Sequence, residues 1–289
     1  MRPAALLLCV TMLAGCGESA EITAGAAGKI TELDYQGAFS ELDRAEAAGE
    51  NMRLIERSRG IAYMGLTRYE EAIQCFLKSL SGSNGFVQDI DIDTNFYLAA
   101  AYTKSGRFEE AEAVYDAILA LRSNETDAYF LRGNVRMNRG EVSKAQEDFD
   151  TVIAMEPKNY DRLIEIHEVL AHFGYKEAGQ EYLQKALETD SKSMDNYVIG
   201  RIYYYLGEYE RACLALEEAR EKGGVMSYLY LGRAYEATGD FNYAASVYNS
   251  FLSKYEGNAE VYNQLGLCEM IKGEYRKALE ALQQKQKLC

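Results

Sequence analysis

Two histidines, His167 and His172, are the residues of this chain best suited by type to bind a metal ion. They stand five residues apart, whereas two ligands on one helix face stand three or four apart. A metal site would also need a third ligand nearby. We therefore expect both histidines to have structural roles, and we expect no metal or other cofactor.

The stretch DIDIDTN places Asp89, Asp91 and Asp93 in alternation, as in the first half of a calcium-binding loop. Such a loop needs glycine at its sixth position and glutamate at its twelfth, where this chain has Thr94 and Ala100. Acidic residues at the start of a helix are the simpler interpretation, because the helix dipole favours them. The chain also lacks a glycine-rich phosphate loop and a G-x-S-x-G motif, so we do not expect an enzyme.

Four cysteines beyond the N-terminal region, Cys75, Cys213, Cys268 and Cys289, lie far apart, with no C-x-x-C motif and no histidine nearby. An exported compartment would permit disulfides. However, the first three fall at helix positions where a small apolar side chain packs. We therefore predict buried thiols there.

The most apolar run, AALLLCVTMLAG at 4–15, follows a single basic residue, Arg2. At about a dozen residues it has the length of a signal-peptide core, not of a membrane span. It ends in Leu13-Ala14-Gly15-Cys16, which resembles the lipobox of bacterial lipoproteins.

This resemblance implies a diacylglyceryl thioether on Cys16, cleavage before it, and a mature chain of 16–289. We accordingly assign 1–15 to the signal peptide and 16–33 to the lipidated cysteine and a flexible tether, since 17–30 is rich in glycine and alanine. The alternative is an ordinary secretory signal in which Cys16 is incidental.

The 289 residues carry a net charge of −14, from 45 acidic and 31 basic residues. Nucleic acid is therefore not an expected partner, because phosphate binding needs a basic surface. Charge attraction to an anionic bilayer is disfavoured for the same reason. After residue 16 the chain has no apolar run near the ~20 residues of a spanning helix. Membrane attachment would therefore depend on the lipid.

Beyond residue 33 the sequence repeats a unit of two amphipathic helices around a glycine-centred turn, for example at 100–119, 201–220 and 233–252. A small residue of the second helix recurs at intervals of 39, 34, 34, 33, 32 and 34 residues. These residues are Ala72, Ala111, Ala145, Gly179, Ala212, Ala244 and Ala278. A period near 34 predicts a helical solenoid.

This pattern resembles the tetratricopeptide repeat family over 53–288, with repeats starting near 53, 92, 126, 160, 193, 225 and 259. The turn glycine is present in six repeats, and Thr67 replaces it in the first. The resemblance implies an all-α, right-handed α-solenoid of antiparallel helix pairs, with about seven repeats in 53–289. Residues 34–52 match a second helix alone and are predicted to form a degenerate half-repeat that caps the stack.

The fourth repeat departs from the pattern, because His167 occupies the small position of its first helix. Gly179 stands opposite it, as the only glycine among the small residues of the second helices. We therefore predict that the imidazole of His167 packs over Gly179.

The first helices of this family line a concave surface through their second, fifth, ninth and twelfth positions. Tyrosine and arginine, the residue types that dominate binding hot spots, gather on these stripes. We therefore predict a groove that binds a peptide and whose arginines engage its carboxylates. The predicted groove residues are Phe130, Asn134, Tyr197, Arg201, Tyr204, Tyr205, Tyr230 and Arg233. The alternative is that Arg201 and Arg233 pair with neighbouring glutamates and the tyrosines are half-buried packing residues.

From the sequence we expect a lipid-anchored scaffold on the extracytoplasmic side of a bacterial membrane that binds a protein or peptide. A lipoprotein that binds glycans or small ligands is the second possibility. The absence of tryptophan weakens it, but the tyrosines leave it open.

Overall fold

A computed structural model of the chain describes residues 21–83, 85–220, 224–255 and 257–288. Over these ranges the secondary structure consists of sixteen α-helices and no strand. The predicted all-α fold of successive helix pairs is confirmed. The predicted signal peptide and Cys16 lie outside the described residues.

The helices alternate between a first and a second helix of each pair. The first helices are α1 (Glu21–Thr31), α3 (Met52–Gly65), α5 (Asp89–Lys104), α7 (Thr126–Asn138), α9 (Tyr160–His172), α11 (Asn196–Leu206), α13 (Gly224–Ala237) and α15 (Ala259–Ile271). The second helices are α2 (Tyr35–Ala47), α4 (Tyr69–Ser81), α6 (Phe108–Leu121), α8 (Val142–Met155), α10 (Lys176–Asp190), α12 (Tyr209–Ala219), α14 (Phe241–Lys254) and α16 (Tyr275–Lys287). From α3 onward, each first helix begins within three residues of a predicted repeat start.

The chain divides into two units, Met1–Pro157 and Lys158–Cys289. In each unit a second helix packs against its own first helix and against the first helix of the next pair. The first unit has a core of aliphatic and aromatic side chains around Phe76 and Tyr115. The second unit has its own core around Tyr228 and Tyr248.

Small residues allow the two helices of a pair to cross closely. A β-carbon on Gly60 would lie 2.4 Å from the ring of Phe76, and one on Gly133 would lie 2.5 Å from the ring of Phe149. Such distances are far inside van der Waals contact, so any side chain at the crossing would force the helices apart. The recurring small residue of the sequence is therefore a packing requirement.

In each pair from α3–α4 to α15–α16, the turn between the two helices contains a residue in the left-handed conformation that ends the first helix. Six of them are glycines, among them Gly106 at a φ of 77°. Thr67 adopts the same conformation at a φ of 59°, although a β-branched side chain is strained there.

Replacing Thr67 with glycine should therefore stabilise the first unit by about 0.5–1 kcal/mol, because relief of strain exceeds the added entropy of the unfolded chain. The reverse change, Gly106→Thr, places threonine at the equivalent turn of the next pair and should destabilise by a similar amount. Urea unfolding measures both. A lower stability of Thr67→Gly would contradict this explanation.

The predicted flexible tether is wrong for residues 21–31, which form α1. Ala26 of α1 is fully buried against Leu42, Ala45 and Ile55. The run of alanine and glycine therefore serves close packing of α1 on α2 and α3. As a consequence, the predicted half-repeat is the second helix of a complete pair, α1 and α2.

The N-terminus of α1 is held by Glu50, which lies in the turn after α2. Its carboxylate accepts hydrogen bonds from the backbone N–H groups of Ile22 and Thr23, each at 3.1 Å, and from the Thr23 hydroxyl. The hydrogen bond from Thr23 lowers the pKa of Glu50, and the two backbone donors act in the same direction. A negative charge here also complements the helix dipole.

The docking of α1 should therefore weaken in acid. Because the folded-state pKa of Glu50 is lowered, its contribution is complete above the ordinary value of 4.5 and is lost as the pH falls through the lowered value. Hydrogen exchange of residues 22–31, corrected for intrinsic rates, should show this loss. Glu50→Gln should make exchange fast at every pH.

The control for this experiment is Glu41→Gln, since Glu41 pairs with Arg44 within α2. This variant should keep the pH response of α1. Equal protection of α1 in acid and at neutral pH in the unmodified chain would contradict the role of Glu50.

Candidate functional site

Four first helices of the second unit bring tyrosine and charged side chains together. We call this surface the tyrosine face. It comprises Asp161 and Glu168 on α9, Tyr197, Arg201, Tyr204 and Tyr205 on α11, Tyr230, Arg233 and Glu236 on α13, and Glu260 on α15.

Three tyrosines form the centre of the tyrosine face. The ring of Tyr204 lies 5.5 Å from that of Tyr205 and 5.5 Å from that of Tyr230, both edge to face. The hydroxyl groups of Tyr205 and Tyr230 are 3.0 Å apart and hydrogen-bonded. Tyr230 is buried, whereas Tyr204 and Tyr205 are partly exposed. Edge-to-face contacts stabilise such a cluster beyond simple burial, so these rings have a fixed arrangement.

The hydroxyl of Tyr205 connects this cluster to α9. It donates a hydrogen bond to Oε1 of Glu168 at 2.5 Å. Burial raises the pKa of Tyr205, and the nearby Tyr230 and Glu168 raise it further, so the phenol stays protonated and acts as a donor. Glu168 is thereby fixed at the edge of the face while remaining exposed to solvent.

Arg201 is held by aromatic rings and one carboxylate. Its guanidinium carbon lies 5.2 Å from the ring centre of Tyr197 and 5.4 Å from that of Tyr230, within the range of cation–π attraction. It also pairs with Asp161 of α9. Burial opposes the charge of Arg201. The hydrogen bond to Asp161 and the electrostatic attraction of Tyr230, Tyr197 and Asp161 together outweigh burial, so the pKa of Arg201 is raised.

Arg233 pairs in the opposite direction along the chain. Its guanidinium donates to Glu260 of α15, whereas Arg201 reaches back to α9. The two arginines therefore connect neighbouring first helices on either side of the tyrosine cluster.

The predicted residues Phe130 and Asn134 lie in the first unit, on α7. Phe130 is buried, and its ring centre lies 6.1 Å from that of Phe149, so the ring packs between α7 and α8. The amide of Asn134 donates to the carbonyl of Phe130 at 3.4 Å. The other six predicted groove residues are those of the tyrosine face.

Sequence reasoning identified the arginines but did not pair them with particular acids. Asp161 and Glu260 both occupy the second position of their repeats, while Arg201 and Arg233 occupy the ninth. These positions could have predicted the two ion pairs. The second and ninth positions lie on one stripe of a first helix, so an acid and an arginine there can meet between adjacent repeats.

The predicted contact of His167 with Gly179 is confirmed. A β-carbon on Gly179 would lie 2.6 Å from Nδ1 of His167, and the imidazole is buried. Burial lowers the pKa of His167, which favours the neutral ring. The ring also meets that of Tyr205 edge to face at 5.4 Å, so it supports the tyrosine face from beneath.

The prediction of buried thiols is confirmed for Cys75, Cys213 and Cys268, which are free and buried. Burial raises the pKa of Cys75 to about 12 and that of Cys213 to about 11. Burial and the nearby Glu236 also raise the pKa of Cys268. These thiols are therefore poor nucleophiles in the folded chain. Cys289 lies outside the described residues.

The alternating acids at the start of α5 each pair with an arginine. Asp89 pairs with Arg122, Asp91 with Arg53, and Asp93 with Arg57. Asp91 also accepts a hydrogen bond from the backbone N–H of Gln88, as part of a capping box.

Across the described part of the chain, no three His, Cys, Asp or Glu side chains cluster so as to hold a metal ion. Within the same ranges, no helix combines the length and apolar character that crossing a membrane requires.

A stack of helix pairs with an aromatic, charged face defines the class of α-solenoid binding scaffolds. The sequence profile of the tetratricopeptide repeat family matches residues 57–128, 98–160, 197–259 and 229–286, which together are more than half of the chain. The chain belongs to the tetratricopeptide repeat family. The unmatched stretch between 160 and 197 contains His167 and Gly179.

Two curated relatives illustrate the range of the family. RNA polymerase II-associated protein 3 of Homo sapiens is 23% identical over 234 residues, which cover 70% of this chain and 34% of that protein. A TPR repeat-containing protein of Methanocaldococcus jannaschii is 28% identical over 235 residues, which cover 73% and 40% respectively. The chain thus spans 34% and 40% of the lengths of these two relatives.

Two solved structures share the fold. A tetratricopeptide repeat protein from Parabacteroides merdae has a TM-score of 0.52 at 14% identity, covering 82% of this chain and 93% of that one. The C-terminal part of a TPR repeat-containing protein from Cytophaga hutchinsonii has a TM-score of 0.53 at 16% identity, covering 90% and 99%. At such identities the likeness shows the fold alone.

Proposed function

We propose that this protein is a lipid-anchored scaffold of the bacterial cell envelope that binds a protein or peptide on the tyrosine face. The observation that carries the binding role is the cluster of Tyr204, Tyr205 and Tyr230 between Arg201 and Arg233. Tyrosine and arginine are enriched among the few residues that dominate the binding energy of protein interfaces, and here their positions are fixed by the contacts described above.

Binding of a glycan or small ligand is the weaker candidate. Stacking on a sugar would need an open aromatic face. The faces of Tyr197 and Tyr230 are instead occupied by Arg201, and the remaining rings meet edge to face. An extended protein segment can use edges, hydroxyls and charges together, which is what this surface offers.

Lipid anchorage is proposed from Leu13-Ala14-Gly15-Cys16 and the apolar run before it. Cells expressing the full chain would be fed labelled palmitate. The purified protein should carry the label, and Cys16→Ser should abolish it and release the protein from the membrane fraction. Cys9→Ser, in the same apolar run, is the matched control and should keep the label. Labelling of the Cys16→Ser protein would contradict the anchor.

The binding site would be tested with a photo-crosslinking amino acid at Tyr204 in intact cells. A defined crosslinked protein should appear with this variant. The control places the same amino acid at Leu214, an exposed position on α12. Equal crosslinking from Leu214, or none from Tyr204, would contradict binding at the tyrosine face.

A further inference from the structure

The most exposed charges of the tyrosine face are negative. The side chains of Arg201 and Arg233 are only 13% and 28% exposed, whereas those of their partners Asp161 and Glu260 are 74% and 51% exposed. Each guanidinium thus lies beneath the carboxylate that neutralises it. A segment passing over this face would meet the carboxylates first.

Glu168 adds a third reachable carboxylate, and within the described ranges no lysine or arginine forms an ion pair with it. Its hydrogen bond comes from the neutral hydroxyl of Tyr205, which fixes its position without cancelling its charge. Glu236 of α13 is also held by neutral donors, the Tyr248 hydroxyl at 2.7 Å and the Cys268 thiol at 3.2 Å. The face therefore carries four carboxylates for two guanidinium groups.

We propose that the tyrosine face selects a basic segment of its partner, whose lysine or arginine side chains bind Asp161, Glu168 and Glu260. This inference rests on the proposed function and reverses the charge preference expected from the sequence. The net charge of −14 would attract such a segment from a distance. Tyr204, which contacts Tyr205 and Tyr230 and is partly exposed, would contribute aromatic contact to the bound cation or its alkyl chain.

An acidic segment would fit this surface poorly. To reach Arg201 its carboxylate would have to displace Asp161 and approach Glu168 at the same time. Charge complementarity at an interface contributes more to specificity than to affinity, because like charges brought together there are strongly unfavourable. The surface thus discriminates by repulsion as well as by attraction.

The test uses the chain from residue 16 onward and three labelled peptides of equal length. They share the same tyrosine, leucine and glycine positions and differ only in carrying lysine, glutamine or glutamate elsewhere. Fluorescence anisotropy should show the lysine peptide binding at least about tenfold more tightly than the glutamate peptide, with affinity falling as sodium chloride is raised.

Two variants locate the site. Asp161→Asn combined with Glu260→Gln should weaken binding of the lysine peptide and strengthen that of the glutamate peptide, since both arginines lose their neutralising partners. Glu168→Gln leaves the two arginine pairs in place and should weaken lysine-peptide binding alone. The matched control is Glu177→Gln with Glu181→Gln, which removes two exposed charges from α10.

Preference for the glutamate peptide, or no binding of any peptide, would overturn the inference. An equal loss of lysine-peptide binding in the α10 control would also overturn it. The scaffold role is judged separately by crosslinking from Tyr204. A trapped partner that binds through an acidic segment would leave that role intact and remove only the charge preference.

Discussion

Replacing Gly232 with valine should destabilise the second unit by about 3 kcal/mol. A β-carbon at this position would lie 2.3 Å from the ring of Tyr248. That ring cannot move aside, because it is fully buried and its hydroxyl is bonded to Glu236. The helices α13 and α14 would therefore have to separate. Urea unfolding, with hydrogen exchange of these two helices, measures the effect.

The matched control is Gly28→Val on α1. A β-carbon on Gly28 has no other atom within 4 Å, and valine is a slightly better helix former than glycine. This variant should be neutral or slightly stabilising. Adding Tyr248→Ala to Gly232→Val should cost less than the sum of the two single changes, because the overlap is gone. Additive losses would argue against the crossing as the cause.

Replacing Asp148 with alanine should destabilise the first unit by about 3 kcal/mol, the lower end of what loss of a buried ion partner costs. The Asp148 carboxylate is almost fully buried and pairs with Arg132 at 2.6 Å and with Arg136 at 2.9 Å. Both arginines are themselves largely buried. We expect a loss of stability at the lower end of this range because each arginine retains a second ion pair, Arg132 with Asp116 and Arg136 with Glu112.

Asp116→Ala provides a control with the same substitution and the same arginine partner. Asp116 is exposed, so its pair with Arg132 should contribute only about 0–1 kcal/mol. Thermal unfolding of the two variants separates burial from pairing. Similar losses in both would show that the position of Asp148 within the network does not matter.

The helix pairs could be predicted because small residues and turn glycines recur at fixed positions. Helix α1 could not, because its stability comes from the docking of Ala26 and from Glu50, which is distant in sequence. The stretch around it has no apolar period, so only its tertiary contacts distinguish it from a linker. Sequence patterns therefore predict the repeats that resemble one another. They predict the first pair, α1 and α2, less well.

The sequence predicts which residue types form the tyrosine face. It predicts the charge that this face presents less well. Tyr197 and Tyr204 follow from their helix positions, as do both arginines. The partner of each arginine depends on which neighbouring helix its side chain contacts. Arg201 pairs with the preceding first helix, α9, and Arg233 pairs with the following one, α15. Phe130 shares a repeat position with Tyr197 but is buried, because packing against Phe149 takes it into the core.

The docking of α1 limits how far the protein could extend from a lipid anchor. Only residues 17–20 separate Cys16 from the start of α1 at Glu21. Even a fully extended chain from Cys16 to Glu21 spans only about 17 Å. With Cys16 acylated as proposed, the first helix pair would sit close to the bilayer surface. The reach of the protein toward a partner would then be set by its folded repeats and not by a free linker.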